Sequence, residues 1–157
     1  MDKNIRQFYD ALFDLIGLMN QPQRDSILLR EAGVSLDRAL FPLLVVIGLR
    51  GTVGIMELAG MVGRDHSTVS RQIATLGRLG LVTRLAGTSD RRERKVAATP
   101  EGLEIVKALD AARERLMQPI LAQWDEQDWK TLVSLLRRFA DDASALPGPG
   151  KDKKLPQ

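Results

Sequence analysis

No cysteine occurs anywhere in this 157-residue chain, and that absence closes several routes at once. Disulfides, thiolate metal sites and thiol-based redox sensing are all excluded. Histidine is nearly as scarce, with His66 the only one. A zinc site would lack histidine and cysteine companions and would have to be built from carboxylates. A catalytic triad would need that same residue, and Ser67 as nucleophile has no orienting partner nearby in sequence. No apolar run is long enough to span a bilayer, and no cleavable signal is read at the N-terminus. The expectation is a soluble, cytoplasmic protein that is not an enzyme and holds no metal or cofactor. Glu101, Glu104, Asp110 and Glu114 read as a solvated helix face, and Trp124 and Trp129 as packing anchors.

What is present has a clear distribution. At 44% hydrophobic, the chain can bury the core of one domain, or of a domain with an attached helical unit. The net charge is +3, yet residues 51–100 hold eight basic side chains against four acidic ones. That window alone carries +4, leaving −1 for the remainder, so the positive charge is concentrated where a polyanion would be met.

The stretch Thr52–Thr99 organises the rest. Ile55, Leu58, Ala59 and Val62 form the stripe of a short helix, with Ala59 small enough for a close crossing and Gly63 fit for a tight turn. Asp65 is a natural N-cap for a second helix, His66 to Leu79, which Gly80 ends. Val69, Ile73 and Leu76 share its apolar face. The opposite face carries Ser67, Thr68, Arg71, Ala74, Thr75 and Arg78, a surface of hydroxyls and arginines. Arginine can meet guanine edges with two parallel hydrogen bonds. Leu81–Leu85 and Lys95–Ala98 have strand character, joined by a polar loop holding Asp90, Arg91, Arg92 and Arg94. Helix, turn, helix and basic hairpin together make a winged helix-turn-helix. An ordinary solvated helix face is the alternative for the second helix taken alone.

The ordered runs Glu57-Leu58-Ala59, Ser67-Thr68-Val69-Ser70-Arg71, Leu79-Gly80-Leu81-Val82, Asp90-Arg91-Arg92 and Thr99-Pro100-Glu101-Gly102 resemble the MarR family of bacterial transcription regulators. The matched motifs cover about fifty residues; the flanking helices extend the likeness to most of the chain. Gly77 departs from the pattern, standing where the family usually has a charged helix former. The resemblance implies a mostly α fold with a small β-wing, the winged helix-turn-helix flanked by N- and C-terminal dimerisation helices. It implies a homodimeric, ligand-responsive repressor on double-stranded DNA, reading an inverted repeat, with no membrane association. The DNA-binding residues would be Ser67, Thr68, Ser70, Arg71, Thr75, Arg78, Asp90, Arg91, Arg92, Arg94 and Lys95. Arg92 is expected at a minor groove, with Asp90 two positions before it orienting the guanidinium. A small phenolic or anionic effector would lie between the dimerisation helices and the winged helix, lined by Phe8, Leu12, Phe41, Leu44 and Arg50. The alternative is a winged-helix protein–protein or structural module without DNA binding.

The flanks fit this division. Residues 3–19 read as an amphipathic helix with Ile5, Phe8, Tyr9, Leu12, Leu15, Ile16 and Met19 at helical spacing. A short helix is expected around Arg24–Glu31, stopped by Gly33. Ser35 is expected to cap a nearly all-apolar helix, Leu36 to Leu49. Thr99 caps a long helix with Pro100 at its first position and the stripe Leu103, Val106, Leu109, Leu116 and Ile120. Pro119 should kink or end it. Asp125 and Asp128 open the last helix, which carries Trp129, Leu132, Val133, Leu136 and Phe139. The expected organisation is 1–34 dimerisation helix and connector, 35–99 DNA-binding domain, 100–146 dimerisation helices and 147–157 disordered tail.

Overall fold

Three prolines stand in the first turns of helices, where a missing amide leaves no hydrogen bond unmade. In the computed structural model, which describes residues 2–85 and 94–146, Pro22, Pro42 and Pro100 all hold such positions. Helix α1 (Lys3–Met19) is capped by Asp2, whose carboxylate accepts from the Asn4 amide at 2.9 Å. Helix α2 (Pro22–Ala32) ends at Gly33, whose φ of 65° is the left-handed conformation that glycine adopts without strain.

Helix α3 spans Phe41–Arg50 and starts later than the expected Leu36. Residues before it form a turn in which the Asp37 carboxylate accepts from the Ala39 amide at 2.7 Å. Pro42 cannot donate to a preceding turn, so the helix begins beside it. Strand β1 (Thr52–Gly54), not anticipated from the sequence, follows directly. Next come α4 (Ile55–Val62), α5 (His66–Arg78), β2 (Val82–Arg84) and β3 (Lys95–Ala98). The expected two-stranded hairpin is thus a three-stranded antiparallel sheet in the order β1-β3-β2, with Val53 opposite Val96 and Thr83 opposite Ala97.

The chain divides into two compact units, Met1–Leu116 and Met117–Gln157. The core of the first gathers Leu43, Leu44 and Ile47 of α3, Leu58 of α4, Val69, Ile73 and Leu76 of α5, and Val53 and Val96 of the sheet. Burying each such side chain stabilises the fold by about 1.5–3 kcal/mol. A smaller cluster joins Leu29, Phe41, Val45 and Leu109. Helix α6 (Pro100–Leu121) buries Gly102, Val106, Leu109 and Ala112, whereas Leu103 of the expected stripe is exposed. Its buried face starts at Gly102, where the helix lies directly against the backbone of Leu81. Pro119 sits inside α6, which ends two residues later. Helix α1 buries none of its residues and exposes Ile5, Tyr9, Phe13 and Ile16.

In the second unit, α7 (Glu126–Ala145) begins at Asp125, which accepts from the amides of Gln127 and Asp128 at 2.8 and 3.3 Å. Trp124 and Trp129 meet edge to face with centroids 6.1 Å apart. This helix also buries none of its residues, and Leu132, Val133 and Leu136 are exposed.

Candidate nucleic-acid interface

Helix α5 is held at both ends and along one side, leaving its other side free. At the start, the Asp65 carboxylate accepts from the Ser67 hydroxyl at 2.5 Å, the Thr68 hydroxyl at 2.6 Å and the Thr68 amide at 2.9 Å. These bonds, the Ser67 hydroxyl foremost and then the Thr68 hydroxyl and amide, hold the carboxyl far below the usual carboxylate range. At the far end Gly80 has φ 73°, and the Leu81 amide donates back to the Leu76 carbonyl at 3.0 Å. Orphan carbonyls of the last turn are thereby satisfied.

The two motifs that close this region in sequence lock together in space. The Thr99 hydroxyl donates to the Gly80 carbonyl at 2.6 Å and accepts from the Gly102 amide at 3.1 Å, while the Thr99 amide donates to the Leu81 carbonyl at 3.0 Å. A Cβ on Gly102 would fall 2.1 Å from the Leu81 carbonyl oxygen. Thr-Pro-Glu-Gly is thus the joint that seats α6 on the corner leaving α5.

The outward side of α5 carries a bonded series of side chains. Arg71 Nη2 donates to Thr68 Oγ1 at 3.4 Å, Thr75 Oγ1 donates to the Arg71 carbonyl at 3.2 Å, and Arg78 Nη2 donates to Thr75 Oγ1 at 2.9 Å. Ser67, Arg71 and Arg78 are exposed and Thr68, Ser70 and Thr75 half-buried, while Val69, Ile73 and Leu76 are sealed in the core. Each arginine side chain is laid along the face by the threonine three residues before it, which reduces the rotamer entropy lost when it meets a ligand. At the sheet, Arg94 and Lys95 are exposed at the start of β3; the Arg94 carbonyl accepts from the Ile55 amide at 2.9 Å and that of Lys95 from Leu85 at 3.0 Å. Asp90, Arg91 and Arg92 lie outside the described residues.

The expected effector residues do not come together. A cleft of about 680 Å3 is bordered by the end of α1, α2, α3, α4 and α6, and of the five only Phe41 lines it. Leu44 is fully sealed in the core, Phe8 and Leu12 lie on α1 away from the cleft lining, and Arg50 ends α3 at the opposite end from Phe41. At 1.5 Å per residue that end is roughly 14 Å away. Arg24, Arg38, Arg64 and Arg113 line the cleft with a single carboxylate, Asp25, and with apolar residues that include Leu28, Phe41 and Met61. Arg64 is a further member of this lining, and its Nη1 donates to the Ala39 carbonyl at 2.6 Å and to Gln72 Oε1 at 3.0 Å. Partners 25 and 8 residues away leave no local signal. Among the described residues no helix is long and apolar enough to cross a membrane, and no group of three or more acidic or histidine side chains could hold a metal ion.

A helix-turn-helix with one apolar face in the core, one arginine–hydroxyl face outward and a sheet beside it is the winged helix-turn-helix class of nucleic-acid-recognition fold. A sequence model of the MarR family matches residues 36–93. The HTH-type transcriptional regulator YxaD of Bacillus subtilis (strain 168) is 31% identical over 105 residues, 67% of this chain and 73% of that protein. Among solved structures, Staphylococcus aureus MarR in complex with salicylate and kanamycin matches with a TM-score of 0.71 at 12% identity, covering 93% of this chain and 96% of that one. A mutant of S. aureus MepR bound to an oligodeoxyribonucleotide matches with a TM-score of 0.53 at 20% identity, covering 86% and 97%. The chain belongs to the MarR family of transcriptional regulators, which are not enzymes.

Proposed function

We propose that this regulator works as a homodimeric, sequence-specific repressor on an inverted-repeat operator in double-stranded DNA, acting in the cytoplasm and responding to a small anionic effector. The observation that carries the reading is the outward face of α5. Thr68, Arg71, Thr75 and Arg78 form one continuous hydrogen-bonded series, with two guanidinium groups held along a helix that the core fixes from behind. Such a face suits the major groove, where arginine takes guanine edges bidentately. Ser67, Ser70, Arg94 and Lys95 would contact phosphates beside it, and Asp90, Arg91 and Arg92 belong to the same proposal on sequence grounds. In this division 35–99 is the DNA-binding domain, with 1–34 and 100–146 serving dimerisation. The apolar side chains that α1 and α7 leave exposed support the dimer, as each helix buries no residue of its own. The arginine-lined cleft supports the effector.

Arg71→Ala tests the central residue. Binding to DNA fragments selected by the wild-type protein, followed by fluorescence anisotropy at two salt concentrations, should weaken by about 1–3 kcal/mol and lose base preference at one position per half-site. Weaker binding with unchanged preference would make Arg71 a phosphate contact only. Binding equal to that of the wild type would remove α5 as the reading element.

A further inference from the structure

The hydroxyl of Thr68 has its direction fixed, because its two side-chain partners can each act in one sense only. An ionised carboxylate only accepts and a guanidinium only donates. Asp65 Oδ2, 2.6 Å from Thr68 Oγ1, therefore takes the hydroxyl hydrogen, and Arg71 Nη2, 3.4 Å away, meets a lone pair. The bonds from Ser67 and Thr68 keep Asp65 ionised, far below the usual carboxylate range. With its hydrogen committed, Thr68 Oγ1 has only a lone pair left for DNA. Thr75 has the same polarity from another source. Its Oγ1 gives its hydrogen to the Arg71 carbonyl at 3.2 Å and accepts from Arg78 Nη2 at 2.9 Å. There the backbone holds the hydrogen, whereas at Thr68 a side chain does. Ser67 also gives its hydroxyl hydrogen to Asp65, at 2.5 Å, and keeps its first-turn amide for a phosphate.

We infer that Asp65 sets the base choice of Thr68: by holding the hydroxyl hydrogen it makes Thr68 a reader of exocyclic amines, selecting cytosine or adenine over guanine or thymine on the strand it faces. The inference rests on α5 as the DNA-reading element and adds which base chemistry one of its positions takes. Cytosine N4 and adenine N6 are the donors of the major groove, where guanine and thymine offer acceptors. An acceptor-only oxygen bonds either amine. Against guanine O6 or thymine O4 it sets two lone pairs together and leaves both oxygens unpaired, the costly arrangement. Arg71, bonded to the same Oγ1, can only donate and so takes an acceptor edge, guanine foremost. Two adjoining side chains thus ask for opposite base edges. Asp65 touches no base in this scheme and acts as a positioning residue. Its role is reversible by one substitution. The Thr68 amide, a donor 2.9 Å from Asp65 Oδ1, requires an oxygen there, so an asparagine would place its NH2 where Oδ2 stands. That NH2 would donate to Thr68 Oγ1 and turn the hydroxyl hydrogen out toward a base acceptor. The cap itself would survive, since asparagine caps about as well as aspartate.

The test selects sites from a random duplex pool with the full-length wild type, Thr68→Ser, Thr68→Val and Asp65→Asn, then measures single-base variants of those sites by anisotropy. The wild type should favour cytosine or adenine at one position per half-site, beside the guanine read by Arg71, by about two- to tenfold, the range of one net hydrogen bond. Thr68→Ser keeps the hydroxyl and should keep that preference. Thr68→Val keeps the shape and a methyl group and should lose it. Asp65→Asn should move the preference to guanine or thymine. A residue that merely caps the helix would change affinity for all sites alike, so a changed base is what separates the two roles. Thr68→Val with the wild-type preference overturns the amine contact, whatever the stability of Asp65→Asn. A folded Asp65→Asn protein with that preference unchanged overturns the control by Asp65. In both cases α5 still reads DNA; a wild type that selects no site overturns that reading and the inference with it.

Discussion

Gly77 and Gly102 carry the same side chain and have opposite constraints. A Cβ on Gly77, inside α5, would meet nothing nearer than the Val82 carbonyl oxygen at 3.9 Å. The cost of glycine there is the ordinary helix-interior one, and Gly77→Ala should stabilise the protein by about 1 kcal/mol. At Gly102 the same methyl would fall 2.1 Å from one backbone oxygen and 3.1 Å from its carbon. Backbone cannot swing aside as a flexible side chain can, so Gly102→Ala should destabilise by about 1–3 kcal/mol. Thermal melts of the two variants should therefore move in opposite directions. If Gly102→Ala melts as the wild type does, the seating of α6 on Leu81 is looser than the contact requires. Both glycines are visible in the sequence, but their ranking is not, because the contact that matters comes from a residue 21 positions earlier.

At the scale of elements, the recognition helix depends on its first turn. The Asp65 carboxyl is held far below its usual range by the hydroxyls of Ser67 and Thr68 and the Thr68 amide. A carboxyl whose folded value is depressed stabilises the folded state fully above its unfolded value, about 3.9, and loses that contribution only as pH falls through the folded value. The difference in melting temperature between the wild type and Asp65→Ala should thus stay constant from pH 7 down to about pH 5 and narrow only in more acidic solution. A difference that shrinks between pH 7 and pH 5 would mean that some other group controls the cap. This helix was legible throughout: Asp65, the Val69/Ile73/Leu76 stripe and Gly80 are local signals, all within one element and its ends. The head of α3 was less so, because an apolar run cannot say where in it the chain first turns helical; the Asp37 turn and Pro42 decided that.

For the whole molecule, the proposed dimer makes a direct prediction. Deleting residues 1–19 removes α1, whose Ile5, Tyr9, Phe13 and Ile16 are exposed on a helix with no buried residue. In sedimentation the shortened protein should dissociate at concentrations where the full chain is dimeric, and it should lose affinity for a two-half-site operator more than for a single half-site. Half-site centres should lie about 34–36 Å apart, one turn of DNA. A deletion that remains a stable dimer and still binds the paired site would place the interface elsewhere.

Local signals in the chain are enough for the helices, for two of the three strands and for their order. Helix periodicity, N-caps, terminal glycines and first-turn prolines act over a few residues, so the helix-turn-helix, the outward arginine face and the family likeness could all be read from the chain. Whatever depends on residues far apart was fixed by packing. Thr52–Gly54 became a strand because β3 offered it a partner more than forty positions away. Gly102 is constrained by Leu81, and Leu44 is sealed in the core rather than lining a cleft. Arg64, one of eight basic side chains in its window, is singled out by Ala39 and Gln72. A guanidinium reaches well beyond its own turn of backbone, and which acceptors it finds is fixed only when α3, α4 and α5 have packed.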